Sequence, residues 1–412
     1  MRIGIVGGGI SGLLAAYLLS RRHDVTVFEA GDHVGGHTNT VRVDLEDGSW
    51  DVDTGFIVFN DRTYPNFVRL LDRLGVPSQT TTMSFSVSCD RTGIEYNGTS
   101  INGLFAQRSN LLSPGFHRMV RDILRFNERG PAEAHRHTGA TVGQFLDAHE
   151  YGAEFRDHYL VPMGASVWSC PPDAFLQFPM RFVMDFFGNH GMLRVWGRPI
   201  WRVISGGSRR YVDALTASFA HRILVSTPVR GIRRWPTHAD VRTDAGIHAF
   251  DEVVLGCHSD QALGLVEDPT PNETYVLRAF PYQANDVVLH EDASVLPRTR
   301  GAWAVWNYRI PRDRQAAAMV TYHMNALQGL DAPHQFCVSL NTTASIDPSK
   351  VLRRFTYHHP MYTTARDEAQ RRHASLVRAN RTSYCGAYWG YGFHEDGVNS
   401  ALAVCRAFGE EL

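Results

Sequence analysis

The sequence predicts an α/β fold, a parallel sheet flanked by helices and interleaved with a second, α+β domain. Three observations predict it. Near the start, the apolar run Ile3–Val6 enters a glycine turn, Gly7-x-Gly9-x-x-Gly12. A helix-period segment, Leu13–Leu19, follows, and a second apolar run, Val25–Phe28, ends at Glu29. In the middle, Ile204-Ser-Gly206-Gly207 precedes an amphipathic pattern (Tyr211, Leu215, Phe219), a strand at 223–232 and a hairpin returning to the apolar run Phe250–Leu255. Towards the other end, Tyr384-Cys-Gly386 leads through a glycine- and aromatic-rich turn to Glu395-Asp396-Gly397-Val-Asn-Ser400, which reads as a helix start.

The first segment is a βαβ unit suited to a dinucleotide. Gly7 permits the tight turn, Gly9 lets the backbone approach a pyrophosphate, and Gly12 lets the helix pack closely on the strand. The amides at Ile10 and Ser11 open the helix and face that pyrophosphate with the positive end of its dipole. Glu29, 17 residues after Gly12, is placed to accept hydrogen bonds from a ribose. Ala30 follows it, and then a second glycine pair, Gly35-Gly36, before His37. A nicotinamide dinucleotide does not need this pair, whereas a second stretch of phosphate or a flavin edge does.

On these residues the chain resembles the flavin amine oxidase superfamily, which includes amine oxidases, protoporphyrinogen oxidases and phytoene desaturases. That fingerprint ends Gly-Gly-Arg, and His37 stands where the arginine would be. The resemblance implies FAD as cofactor, held by a Rossmann-type, GR2-like domain. It implies that backbone near Val229 meets adenine and that Asp53-Thr54-Gly55-Phe56 passes near the flavin ring. It also implies that the closing motif (Asp396, Gly397, Ser400) faces phosphate or flavin, Asp396 either bonding a ribityl hydroxyl or capping the helix. The expected division is a discontinuous FAD domain at 1–75, 200–265 and 375–412, with a substrate domain at 76–199 and 266–374.

Composition narrows the class. A net charge of −1 gives no electrostatic case for nucleic acid. The six cysteines are scattered without a CxxC pair, so neither disulfides nor a dithiol relay are expected. His135 and His137 have no partner carboxylate or cysteine cluster, so no metal site is expected, and no Gly-x-Ser-x-Gly elbow indicates hydrolysis. Lys350 is the only lysine and lies in a turn-like Ile346-Asp-Pro-Ser-Lys350, an unsuitable place for the lysine that many amine oxidases of this superfamily set near the flavin. No signal-like segment precedes the strand at residue 3 and no apolar run reaches about 18 residues. A cytoplasmic protein is expected.

In the inserted segments, residues 62–79 read as a helix closed by Gly75, and 85–87 with 94–96 as a strand pair. Phe116, Met119, Val120, Ile123 and Leu124 form one face of a helix whose Arg118, Arg121 and Arg125 lie outside it, a solvated face or a peripheral membrane contact. Phe175, Phe178, Phe182 and Phe186 fall on one helical stripe within a stretch rich in Met and Trp, including Trp196 and Trp201. Such a stripe is core or the wall of an apolar channel. Residues 275–290 and 301–341 read as strand-rich, with Ala302–Trp306 and Met319–His323 as examples.

More closely, the chain is similar to bacterial flavoproteins related to the N-terminal domain of plant cyclopropane fatty acid synthases. Gly36–Thr40, Val52–Asn60, Tyr64–Asn66, Pro162–Ser169, Val320–Gln328, His359-Pro360 and Tyr391–Gly397 carry this. The resemblance implies a modified fatty-acyl substrate and an acyl-modifying methyltransferase as a partner. One dinucleotide fingerprint leaves no second site for a nicotinamide, so the expected reaction is removal of a hydride from a substrate C–H bond to flavin N5, giving a desaturated product. His190 and His359 are the candidate bases, and Tyr322, Trp168 and Tyr391 join them as candidates to face the ring. The alternatives are an amine oxidase, a redox-neutral flavin isomerase and a non-catalytic flavoprotein.

Overall fold

The computed structural model describes residues 1–137, 139–194, 197–312, 317–363 and 365–412; Trp196 lies outside the described residues. Five strands form a parallel sheet in the spatial order Ile223–Leu224, Asp24–Phe28, Arg2–Val6, Glu252–Leu255 and Thr382–Tyr384. Ile3, Ile5, Val25, Val27, Val253 and Val254 are buried, as the near-continuous apolar runs of a sheet covered on both faces require. Helix Ile10–Leu19 is almost wholly buried and packs against helix His394–Arg406, where the Ser11 hydroxyl donates to the Gly397 carbonyl at 3.0 Å. Helix Pro65–Leu74 ends at Gly75, whose φ of +67° is the left-handed stop that glycine supplies.

The parallel ladder sets the position of the site. Gly7 N–H donates to the Phe28 carbonyl (2.9 Å), Gly256 to Val6 (2.8 Å) and Cys385 to Leu255 (2.9 Å), so adjacent strands end together along one edge. Ligands of open α/β sheets bind beyond this carboxyl edge.

A seven-stranded sheet, in the order Val351–Pro360, Tyr282–His290, Cys337–Leu340, Met319–His323, Trp306–Ile310, Phe85–Cys89, Glu95–Asn97, faces the site from the other side. The strand pair at 85–97 has Val87 opposite Tyr96. Two expectations shift. Residues 275–277 end the helix Pro271–Leu277 rather than start a strand, because Thr270 and Glu273 form a capping box with Pro271 in the first turn. The central strand starts at Trp306 rather than Ala302, because Arg300–Ala302 close a 3₁₀ turn.

The helical insertion also departs from the pattern in two places. In helix Pro114–Arg136 the buried positions are 116, 119, 122, 126, 130 and 134, stepping by three and four. Leu124 falls on the far side and is 57% exposed, so it is not on the buried face. The phenylalanine stripe is not one helix: helices Pro172–Phe175 and Met180–Asn189 are separated at Pro179, which bridges to Thr141. Phe175, Phe178, Phe182 and Phe186 are all buried around Trp168, with ring centroids 5.0–6.0 Å away, so the stripe is core at its first three positions, while Phe186 and Trp168 also reach the cavity wall.

Candidate functional site

A cavity of about 1000 Å3 runs from the carboxyl edge of the parallel sheet to the face of the seven-stranded one. It is at the top of the range of about 300–1,000 Å3 found for ligand pockets. Its near end is the glycine turn. Gly7 holds φ +106°, and Gly9 has no atom within 4 Å of where a Cβ would stand, so a ligand can come against bare backbone there. Gly12 is behind the turn, where a Cβ would stand 2.0 Å from the Gly7 carbonyl oxygen; it serves packing and does not reach the wall. Ile10 and Ser11 line the cavity as the first residues of the helix.

Glu29 and Ala30 follow at the end of the second strand. Glu29 accepts from the Gly8 N–H (2.6 Å) and the Gly31 N–H (2.7 Å), which fixes its carboxylate at the wall with further lone pairs for ribose hydroxyls. Gly35, Gly36 and His37 line the same end, and so does Val229. Gly55 and Phe56 line the cavity further along. A Cβ on Gly55 would stand 2.2 Å from the His37 carbonyl oxygen, so the two segments cross in direct contact. Phe56 stacks on His394 at 3.7 Å.

Besides Gly12, four of the expected cofactor residues, Thr54, Asp396, Gly397 and Ser400, stand off the wall. The Thr54 hydroxyl donates to the Asn39 carbonyl (2.9 Å) and shares a 2.8 Å bond with the Tyr357 hydroxyl. Asp396 accepts from the Tyr391 N–H (3.0 Å) and the Phe393 N–H (2.9 Å), reaching back over the turn that begins the last helix. Its carboxylate is therefore a cap of that turn, the second of the two roles expected of it. The Gly397 carbonyl accepts from Ser11 and Ser400. The Ser400 hydroxyl in turn accepts the Gly386 N–H at 2.9 Å, so it acts at one remove by holding Gly386 on the wall. The carboxylate of the neighbouring Asp53 accepts from the Ser208 N–H (2.9 Å) and hydroxyl (2.8 Å), fastening the start of helix Arg209–Thr216, after Gly206-Gly207, to the end of strand Gly48–Asp53.

The far end of the cavity is apolar and aromatic, with Met83, Phe85, Met163, Trp168, Trp306 and Leu327 on it. His190, Tyr322 and His359 all line the cavity, whereas Tyr391 packs on Phe182 away from it. The two histidines differ in tautomer. His190 Nδ1 is 3.0 Å from the Phe186 carbonyl, so that nitrogen carries the hydrogen and Nε2 carries the lone pair. Burial brings its pKa down to about 4. His359 Nδ1 is 3.0 Å from the Asn285 amide nitrogen, whose own orientation is set because Asn285 Oδ1 accepts from Asn341. His359 therefore carries its hydrogen on Nε2 and presents a donor; it does not have the free lone pair of a base there. Burial, followed by His37 and His358, lowers it to about 3. Burial pushes the Tyr322 hydroxyl up to about 12, leaving it a neutral donor.

Sequence reasoning missed several wall residues. His258, His358 and His394 join His37, His190 and His359, so six imidazoles line one cavity. Two of the three carried a signal: His258 stands two residues beyond the strand ending at Leu255 on the ligand edge, and His394 lies inside the Tyr391–Gly397 motif. Arg198 was also missed. It lies beside Gly191 and close enough to Tyr159 to oppose the rise that burial causes in that phenol. Among the described lining residues Arg198 is the one arginine or lysine and Glu29 the one carboxylate. Lys350 is elsewhere, paired with Asp292 at 3.6 Å.

Residues 10–289 match the family described as flavin containing amine oxidoreductase. The protein described as a flavin-containing monoamine oxidase, AofH, of Mycobacterium tuberculosis is 27% identical over 276 residues. That stretch is 64% of this chain and 58% of the relative, less than two thirds of its length. Two solved structures share the fold. The CLA-producing fatty acid isomerase of P. acnes matches with TM-score 0.69 and 17% identity, over 99% of this chain and 98% of that one. Putrescine oxidase bound to putrescine matches with TM-score 0.69 and 13% identity, over 99% of both chains. No helix among the described residues is long and apolar enough to cross a membrane.

Proposed function

The chain belongs to the flavin containing amine oxidoreductases, and from that premise we propose that it is an FAD-dependent oxidoreductase acting on a C–H bond of a fatty-acyl substrate. The bare backbone at Gly9, the carboxylate of Glu29 at the strand end and the His37 Nε2, buried without a partner, fit a polar dinucleotide. Gly7–Ser11 would hold its pyrophosphate, Glu29 a ribose, the backbone at Val229 the adenine side, and Gly55 with Phe56 the flavin side. Bound FAD supplies a two-electron acceptor for hydride.

The observation that carries the substrate class is the charge of the apolar end. It has at its solvent-exposed rim the guanidinium of Arg198, whose Nε donates to the Arg194 carbonyl at 2.7 Å, and, among the described residues, no carboxylate. An ammonium substrate would enter without a counter-ion, whereas a long apolar chain with a carboxylate meets aromatic walls and a cation. Trp168, Phe186 and Trp306 exclude water around the reacting carbon. His190 Nε2 is the nitrogen able to take a proton, while His359 Nε2–H and the Tyr322 hydroxyl are donors that orient the substrate.

The test is anaerobic flavin bleaching with unsaturated and methyl-branched fatty acids alongside putrescine and an aromatic amine. Bleaching by the acids alone is the expected result. Bleaching by amines alone, or unchanged absorbance across the lipids, overturns the substrate class. Product analysis against oxygen consumption then separates desaturation from redox-neutral isomerisation.

A further inference from the structure

The glycine turn is flanked by histidines on both sides. Gly36 packs directly on Gly9, a Cβ at Gly36 falling 3.1 Å from the Gly9 Cα, so His37 begins at the turn itself. Gly256 touches Gly7 and Gly12 from the neighbouring strand, and His258 stands two residues beyond it. The two imidazole centroids are 6.2 Å apart, and His359 is 5.3 Å from His37. The His37 Nε2 is buried with no partner, and the ring's other side is turned to the His358 backbone.

We infer that His37 and His258 form a proton-linked clamp for the pyrophosphate of the dinucleotide, one of them taking a proton from solvent as the anion enters. The groups facing them explain why the proton waits for the anion. Around His37 stand His258, His358, His359, the Tyr357 ring at 5.0 Å and His394 of the last helix. Around His258 stand His358, His359, the stacked Tyr282 ring at 4.4 Å and, on its own segment, Cys257 and Asp260. Glu29 is the carboxylate on this wall, and its two oxygens are already engaged by backbone N–H groups. Burial and then the neighbouring imidazoles lower both His37 and His258 to about 4. Without a ligand they are neutral. A phosphate anion reverses the balance of charge around them and favours the imidazolium form.

The sign follows from linkage. A site that binds a proton together with its ligand binds that ligand more tightly as pH falls. Serial dilution of the holoenzyme, with released FAD read by its fluorescence, gives the dissociation constant at pH 6, 7 and 8. It is expected to rise steadily from pH 6 to pH 8, by up to about tenfold per pH unit, the limit that one coupled proton sets. His37→Gln and His258→Gln should each weaken binding at pH 6 and flatten the slope. His37→Arg supplies a charge that does not titrate, and should flatten the slope while keeping binding tight at pH 8. A level wild-type profile, or a slope that both glutamine variants leave unchanged, overturns the clamp. The readout is cofactor release, so it stands or falls separately from the substrate class.

Discussion

Asp53 shows how one residue's environment decides its role. The motif around it suggests a flavin contact, yet its carboxyl is fully buried and holds Ser208, Thr40 and Gln328. Burial, only partly offset by these bonds, raises its pKa from 3.8 to about 6. The folded protein thus holds this proton more tightly than the unfolded chain. The stabilisation is complete below about pH 4 and is lost as pH rises through about 6. Urea unfolding at pH 4 and pH 7 should show wild type losing about 2 kcal/mol that Asp53→Asn does not lose. Equal losses in both proteins would mean the carboxyl is not the titrating group. The catalytic candidates His190, His359 and Tyr322 all line the cavity, but the histidine tautomers were not legible in the sequence. Asn285, 74 positions from His359, sets which nitrogen is protonated.

At the scale of elements, the βαβ unit was readable because its determinants are consecutive: the strand, the glycine turn, the helix and the acid all lie within residues 3–29. Gly12 is the most exacting of them, with its missing side chain facing backbone that has no room to yield. Gly12→Ala should cost about 3 kcal/mol or more in urea unfolding and lower the FAD content of the purified protein. A variant of wild-type stability would show that the helix can shift. Elements whose ends are set by capping were less legible. The phenylalanine spacing suits one helix, yet Pro179 divides it, and Thr270 with Glu273 turns an apparent strand into a helix. Of the histidine wall, His37, His190 and His359 were named from sequence singly, but their meeting with His258, His358 and His394 was not legible, because these positions come together only after two sheets have closed on each other.

For the whole molecule, the cavity is bounded by segments from nearly the entire chain, Val6 to His394. A ligand that fills it ties those segments together and binds the folded state alone. FAD at a hundred times its dissociation constant should therefore stabilise the protein by about 2.7 kcal/mol, read as a higher urea midpoint with added FAD. A midpoint indifferent to FAD would be incompatible with a site built this way.

The parallel sheet also has a temporal aspect. Its outer strand, Thr382–Tyr384, pairs with Glu252–Leu255 but is synthesised more than a hundred residues later. While the ribosome makes the intervening stretch, the older strand's edge stays unpaired. A nascent chain in that interval exposes an apolar template for mispairing, which makes it a natural client for holding chaperones.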